Sequence, residues 1–536
     1  ALSVFKSWEP AQAEYAKLHR DRLESLWSDK NKQFRVHRIP DSVLDAFISL
    51  RSSEVRPYRL PLGIISVAKQ SRPSCNVQLY DFQKEAVDRW FDFGCRGIFE
   101  MATGTGKTFA SLAAAVRAYE ERGRLALVVL VPYLHLLEQW AKDCRDFGFD
   151  PILCSGDHAH WEIDVRSAVR DFELGVLSNV CIIAVHQTAS TKRFATAISD
   201  LSANAMVIGD EVHGLGAPNL RNALANQIEM RLGLSATPRR WFDEEGTGVI
   251  YSYFGDTCYE YGLDKAIGRF LTPYDYHPVL VSLSDAEVRH YDELTAKIAP
   301  IADKAKDDSR IREQMKSLIL QRARIVYSAR AKLPRLVTLL QSVLSEHKDR
   351  GEEPRGILVF CAPGKHREVL RAISALGLRC HEFVHGIGLR ERERLLKQFD
   401  EGELQALVAI RCLDEGVDVP STTTAYIMAS STNPREFIQR RGRILRKAPG
   451  KDRAAIYDFI VVPPPERLEL PTGADTSILK REMPRFAEFS LSAVNTFRAR
   501  SQIRGILDRF GMLHLLEKRP WDVYHTLKGW DWSDDE

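Results

Sequence analysis

The chain has 536 residues, 44% of them hydrophobic and 27% charged, and its 75 basic side chains nearly balance 72 acidic ones. This is the composition of a soluble globular protein with room for about three to five domains, and the charge balance does not by itself announce a nucleic-acid binder. The nine cysteines are scattered with no C-x-x-C pair, which sets aside a disulfide framework, a zinc ribbon and an iron–sulfur cluster.

In chain order, residues 1–76 read as a helical N-terminal appendage. Residues 11–27 space Tyr15, Leu18, Arg22 and Leu26 as a helix does, and residues 41–50 read as a second helix with Asp41 as N-cap. Residues 79–90, LYDFQKEAVDRW, read as a further helix. Its Gln83 carries an amide that donates and accepts, as an adenine edge requires, and Phe82 is placed to pack nearby.

The next stretch organises the chain. RGIFEM reads as a buried strand, MATGTGKT (residues 101–108) as a glycine-rich turn, and the Ala-rich residues 109–119 as a helix. Strand, turn and helix in that order suit a phosphate-binding loop. In the loop Thr103–Gly104–Thr105–Gly106, the glycines let backbone N–H groups close round a polyphosphate. Lys107 would reach the β- and γ-phosphates, and Thr108 would hold Mg²⁺ through its hydroxyl. Met101 stands where the G-x-x-x-x-G-K-T pattern has glycine.

Residues 125–131 read as a central parallel strand ended by Pro132. Strands are also expected at 180–185 before His186-Gln187-Thr188, at 205–209 before Asp210-Glu211-Val212-His213, and at 231–234 before Ser235-Ala236-Thr237. Strands that alternate with helices and end in polar tips indicate a doubly wound parallel sheet, which gathers function at its carboxyl ends. Asp210 would organise the metal and Glu211 would orient or deprotonate the attacking water. This first lobe is expected over residues 77–283. Residues 284–350 read as a charged helical spacer bridging two lobes.

A second lobe is expected over 351–465. It has strands at 356–361, 406–410, 425–429 and 456–462, with RCLDEGVDVP at 411–420 and REFIQRRGRILR at 435–446. Arginines 440, 441, 443 and 446 would crowd a helix start, where guanidinium forks can meet phosphate across a cleft. Residues 466–536 read as helical, with one long helix over 486–510 and an acidic end; Trp521, Trp530 and Trp532 are read as packing groups. His381-Glu382-Phe383-Val384-His385 matches a zinc-protease pattern, but it falls where a strand is due and glycines follow at once, so no metal site is expected there. No H-x-K nuclease signature occurs, and the E-x-K at Glu346–Lys348 lies in the spacer. Charges interrupt the first twenty residues, so no secretory signal is expected. The longest apolar run, 125–137, is too short to span a bilayer. A cytoplasmic protein without a membrane partner is the expectation.

The set MATGTGKT, DEVH, SAT, DEGVDVP and QRRGRILR, with LYDFQKEAV and VPYLHLLEQW, resembles superfamily 2 helicases and translocases across about residues 77–465. The likeness is closer to the XPB-like and restriction-motor branch than to the DEAD-box RNA helicases. RLGLSATPRRWFDEEGT and the stretch from IRCLDEGVDVP to RKAPGK are similar to a bacterial phage-defence subgroup, which includes helicases of phosphorothioation-dependent restriction and helicases fused to a phospholipase D nuclease. The resemblance implies an α/β fold of two RecA-like lobes with helical flanks, and a DNA-stimulated ATP hydrolase using ATP and Mg²⁺. Gln83 would contact adenine. Gly104, Gly106, Lys107 and Thr108 would hold the phosphates and Mg²⁺, with Asp210 and Glu211 in the metal and water roles. Ser235 and Thr237 would couple hydrolysis to motion. Gly416 and Asp418 would contact nucleotide from the second lobe, Gln439 would sense the γ-phosphate, and Arg443 and Arg446 would be arginine fingers. Pro132, His186, Gln187, Thr188 and Cys361 mark positions near the DNA backbone. DNA is the expected partner, with a partner nuclease as a further one. The rival readings are an RNA helicase and an ATP-switched subunit that delivers DNA to a nuclease.

Overall fold

The computed structural model describes residues 10–28, 72–158, 160–201, 203–302, 304–306, 308–384, 387–410, 419–469 and 472–523. The chain forms two compact units, residues 1–70 and 71–536. In the first, the expected helix is present as Pro10–Trp27, with Leu18, Leu23 and Trp27 exposed. The helix expected over 41–50 lies outside the described residues.

The second unit is built on two sheets. The strands of the first are β1 (Arg96–Met101), β2 (Leu125–Val131), β3 (Pro151–Cys154), β4 (Asn179–Val185), β5 (Ala205–Asp210), β6 (Met230–Ser235) and β7 (Thr257–Tyr261). They run parallel in the order β3-β4-β2-β5-β6-β1-β7. Every residue of β2 and β4 is buried, as in a sheet covered by helices on both faces. The phosphate-loop helix Lys107–Arg122 supplies one cover. It buries a run of alanines and ends at Gly123, whose left-handed φ of 74° closes the last turn.

The second sheet contains β8 (Tyr274–Ser282), β9 (Ile357–Phe360), β10 (Cys380–Phe383), β11 (Ala406–Ala409), β12 (Thr424–Ile427) and β13 (Ala454–Val462). These are parallel in the order β10-β11-β9-β12-β13-β8. The two doubly wound lobes and their flanking helices are the RecA-like architecture expected from the sequence.

Three expectations need correction. The first lobe does not run to residue 283, because β8 pairs with β13 over its whole length, from Tyr274 against Ala454 to Ser282 against Val462. The chain therefore crosses between lobes over 262–273. Nor does the 284–350 segment bridge the lobes. Its helices Asp285–Ile298, Ser309–Tyr327 and Lys332–Arg350 bury Val288, Tyr291, Val326 and Leu336 in one core with Val359, Val408 and Phe459 of the second sheet. The long helix over 486–510 is two helices, Gly473–Leu491 and Thr496–Arg509.

The Gly473–Leu491 helix is fastened to the second sheet by a buried charge network. Arg485 Nε donates to Asp458 Oδ2 at 3.0 Å and its Nη2 to Glu482 Oε2 at 2.8 Å, while the Tyr276 hydroxyl donates to Asp458 at 2.9 Å. Removing the cation leaves two buried carboxylates facing each other. Arg485→Ala is expected to cost about 3–5 kcal/mol of stability, read as a fall in the urea midpoint of the second-lobe transition. An unchanged midpoint would mean the network is not holding the helix.

Candidate active site

The two lobes meet over a cleft of about 1070 Å³ whose walls include Lys107, Asp210 and Glu211 from one side and Gln439, Arg443 and Arg446 from the other. Residues expected to act together from more than three hundred positions apart therefore line one space.

The phosphate loop follows from β1. Met101, at the position where glycine is usual, is fully buried as the last strand residue and pairs in register with Tyr261, so no glycine is needed there. Turning begins beyond it, with Gly104 at φ +82° and Gly106 at φ +76°. A Cβ on Gly106 would lie 2.5 Å from the Gln83 amide nitrogen, and one on Gly104 3.1 Å from Leu271. Thr105 Oγ1 donates to Ala102 O at 2.7 Å, and Lys107 Nζ donates to Met101 O at 3.0 Å. Burial pulls the Lys107 ammonium below its usual range. Glu211 and Asp210 oppose that shift, while Arg446 and Arg443 add to it.

Gln83 is buried against this loop. Its Nε2 donates to Thr105 O at 3.0 Å and Gly106 O at 3.3 Å, and its Oε1 accepts from Tyr80 N at 2.9 Å. Here the amide braces the loop. Phe82 stacks on Tyr261 at 4.2 Å and lies 4.8 Å from the tilted ring of Phe270, an aromatic cluster beside the loop of which the sequence gives only Phe82.

Asp210 ends β5. Burial, then the neighbouring Glu211, push its carboxyl above the usual range. Glu211 adopts a left-handed φ of 45°, a conformation that costs energy for a non-glycine residue and persists where surrounding contacts impose it. Those contacts are visible. Glu211 Oε2 accepts from Ser235 Oγ at 3.4 Å and from Gln439 Nε2 of the other lobe at 3.3 Å. Ser235 Oγ also accepts from Thr237 N at 3.1 Å and lies 3.2 Å from His213 Nδ1. Burial holds the His213 imidazole well below its usual pKa, so it meets Ser235 and Glu211 as a neutral ring. The SAT hydroxyl thus lies within hydrogen-bond reach of the Glu211 carboxylate.

From the second lobe, Asn433 caps the helix Pro434–Ile444 by accepting from Arg435 N at 3.1 Å. The arginines therefore lie in its later turns and just past its end, not at a helix start as expected. Arg443 and Arg446 line the cleft. Arg446 is lowered to about 10 by burial, and its backbone bridges Leu271 of the inter-lobe crossing. Arg441 is different: it is fully buried and donates to Glu488 Oε1 at 2.5 Å, Glu488 O at 2.6 Å and Tyr274 Oη at 3.3 Å. It fastens the Gly473–Leu491 helix. Gly442 lies against Thr103, where an added Cβ would fall 1.8 Å from Oγ1; no larger residue fits that inter-lobe contact.

Pro132 and Gln187 line the cleft. Gln187 is exposed and Thr188 half-buried, but His186 is 2% exposed and lowered to about 4 by burial. Gly416 and Asp418 lie outside the described residues. His381 and Glu382 of the H-E-x-x-H pattern sit on β10, not on a helix; His385 lies outside the described residues. Trp521 packs edge-to-face on Trp241 at 5.1 Å, as read from the sequence; Trp530 and Trp532 lie outside the described residues.

The donors fit a nucleotide triphosphate with Mg²⁺. Gly104 and Gly106 turn the loop through positive φ, packed on Leu271 and Gln83 where a Cβ would crowd them, the buried Thr103 Oγ1 has no hydrogen-bond partner, and the Thr108 hydroxyl with the Asp210 carboxylate is an all-oxygen set of the kind Mg²⁺ takes. Glu211→Gln keeps the cradle and removes the carboxylate expected to orient or deprotonate the water. It is expected to bind ATP normally while turnover falls by about 10²–10⁴-fold, measured as fluorescent-nucleotide affinity against steady-state phosphate release.

Residues 76–240 match the family described as "Type III restriction enzyme, res subunit", and residues 332–448 match "Helicase conserved C-terminal domain". The chain is 27% identical over 406 residues to a protein of Sulfurisphaera tokodaii named "DNA 3'-5' translocase XPB2", covering 72% of this chain and 82% of that one. It is 26% identical over 394 residues to "DNA 3'-5' helicase XPB" of Kineococcus radiotolerans, covering 71% of this chain and 59% of the relative. Among solved structures, the ATP-dependent Type ISP restriction-modification enzyme LlaBIII bound to DNA is similar with a TM-score of 0.53 and 16% identity, over 83% of this chain and 33% of that one. That last likeness concerns the fold alone.

Proposed function

We propose that this chain, which belongs to the superfamily 2 helicases and is an ATP-dependent member of them, moves along double-stranded DNA by closing and reopening the cleft between its lobes. The observation that carries the reading is the direct contact of Gln439 with Glu211, which makes the hydrolytic carboxylate answerable to the position of the other lobe.

Lys107 and the loop N–H groups take the phosphates. Thr108 and Asp210 would hold Mg²⁺, which would supply charge neutralisation to the phosphates. Glu211 orients the water, and Arg443 and Arg446 approach the γ-phosphate from the second lobe. Phe82 is proposed to meet the base, with Gln83 reaching it if its amide leaves the loop carbonyls, and Gly416 and Asp418 are proposed to contact the nucleotide from the second lobe. Once the γ-phosphate leaves, the arginines lose their partner and the lobes part. Ser235 and Thr237 carry that change to the rest of the first lobe.

Two relatives are named for DNA, and DNA is carried to this chain on that ground. A second cavity of about 470 Å³ at the carboxyl ends of β9 and β12, lined by Phe360, Lys365, Ser430, Arg440 and Arg324, suits a sugar-phosphate backbone, with Pro132, Gln187 and Thr188 on the other lobe. Grip of this kind weakens as salt rises. ATP-driven displacement of a third strand from a triplex tests the reading. Displacement by the wild type but not by Lys107→Ala supports a duplex translocase. Hydrolysis stimulated by RNA and not by DNA would replace it with an RNA helicase.

The restriction-subunit description matched by the first lobe favours a further role, delivery of DNA to a nuclease on a partner chain in a cytoplasmic restriction or phage-defence system. Co-purification with the products of neighbouring genes, and DNA cleavage that requires ATP, test that role. No helix among the described residues is long and apolar enough to cross a membrane.

A further inference from the structure

Asp210 is held from two sides. Its Oδ1 accepts from Glu211 N at 3.0 Å, a contact local to the strand end. Its Oδ2 accepts the indole N–H of Trp140 at 3.0 Å, from seventy residues away in sequence. Trp140 is 2% exposed and sits on the helix Leu134–Asp146, packed among Leu137, Ala141 and Cys144.

A buried indole has one donor and seeks one acceptor. Trp90 shows the ordinary solution, since its N–H goes to the backbone carbonyl of Arg231 at 3.0 Å. Trp140 instead spends its donor on the carboxylate read here as the cation ligand. The bond fixes the rotamer of that carboxylate while leaving each oxygen a further lone pair. The ring is 2% exposed, packed on the core at the cleft wall, so its donor stays in place when the carboxylate turns.

We propose that Trp140 is a positioning residue for Mg²⁺·nucleotide: its N–H aims Asp210 so that the carboxylate meets the cation without first being ordered. The inference rests on the reading of Asp210 as the metal carboxylate. Losing an outer partner of a metal-ligating group lowers metal affinity by about 10–100-fold, and Trp140→Phe removes the N–H while keeping an aromatic ring in the core.

The test uses the full chain and a fluorescent ADP analogue, titrated with Mg²⁺ in the absence of DNA. Trp140→Phe is expected to raise the Mg²⁺ concentration for half-maximal nucleotide binding by about 10-fold or more, with nucleotide affinity in EDTA unchanged. A packing role alone would weaken binding in EDTA as well. An unchanged Mg²⁺ half-saturation, or an equal loss in EDTA, overturns the proposal. If circular dichroism shows that Trp140→Phe does not fold, benzothienylalanine at position 140, which carries sulfur in place of the N–H, makes the same test. Asp210→Asn in the same titration checks the underlying reading: if it leaves the Mg²⁺ dependence unchanged, Asp210 is not the ligand, and the proposal falls with that reading.

Discussion

Replacing Lys107 by alanine is expected to abolish ATP turnover, with a loss of at least about 10²–10³-fold from the missing charge alone. The ammonium sits in the cleft, donates to Met101 O at 3.0 Å and faces Asp210 and Glu211. Burial already disfavours its charge, and those two carboxylates oppose that effect. A polyphosphate entering the cradle supplies a stronger counter-charge than Met101 O, so the side chain is poised to leave the carbonyl and follow the phosphates. Lys107→Arg should not restore turnover, because the planar fork replaces a compact point charge in a space bounded by buried Thr103 and Thr105. Phosphate release close to the wild-type rate in Lys107→Ala would contradict this placement.

Replacing Arg443 by alanine should lower turnover by about 10³–10⁵-fold, the range for loss of an arginine finger, with nucleotide affinity largely retained because the cradle lies on the other lobe. Arg441→Ala is the control. Its guanidinium is fully buried and spends its donors on Glu488 and Tyr274, so its loss should lower the unfolding midpoint before it lowers the rate constant. Measuring kcat and thermal midpoint for both variants separates the two arginines. If Arg441→Ala lost turnover at full stability while Arg443→Ala lost only stability, the roles would be reversed. Arg446 combines both kinds of role, since it lines the cleft and also bridges Leu271 through its backbone.

The first lobe was legible because its signals are local. A buried apolar run followed by glycines, or by Asp-Glu, announces a parallel strand and its functional tip within ten residues or so. The same reading misplaced β8, because nothing in the residues Tyr274–Ser282 says which of two parallel sheets they join; that is decided by pairing with β13, far along the chain. It also placed the arginines at a helix start, although Asn433 caps the helix several residues earlier. The Phe82–Tyr261–Phe270 cluster and the Trp140–Asp210 bond escaped notice for a related reason. Each joins residues that carry no motif of their own, so their roles arise only from being brought together in space. A tryptophan in a core helix could have been flagged as a donor needing an acceptor, but not the acceptor it would find.

Burial also changed what a matching residue can do. His186 is expected near a nucleic-acid backbone; it lines the cleft but is 2% exposed, and Gln187 beside it is the exposed group. Sequence position identified the loop, while only the packing identifies which side chain reaches solvent.

One cleft, walled by both lobes, is proposed to hydrolyse ATP in response to DNA lying across them. Steady-state ATP turnover, measured with and without duplex DNA over a range of salt concentrations, addresses it most directly. Strong stimulation by duplex DNA is expected, declining as salt rises and absent in Arg443→Ala. Turnover indifferent to every nucleic acid, at a rate that Arg443→Ala leaves untouched, would contradict it.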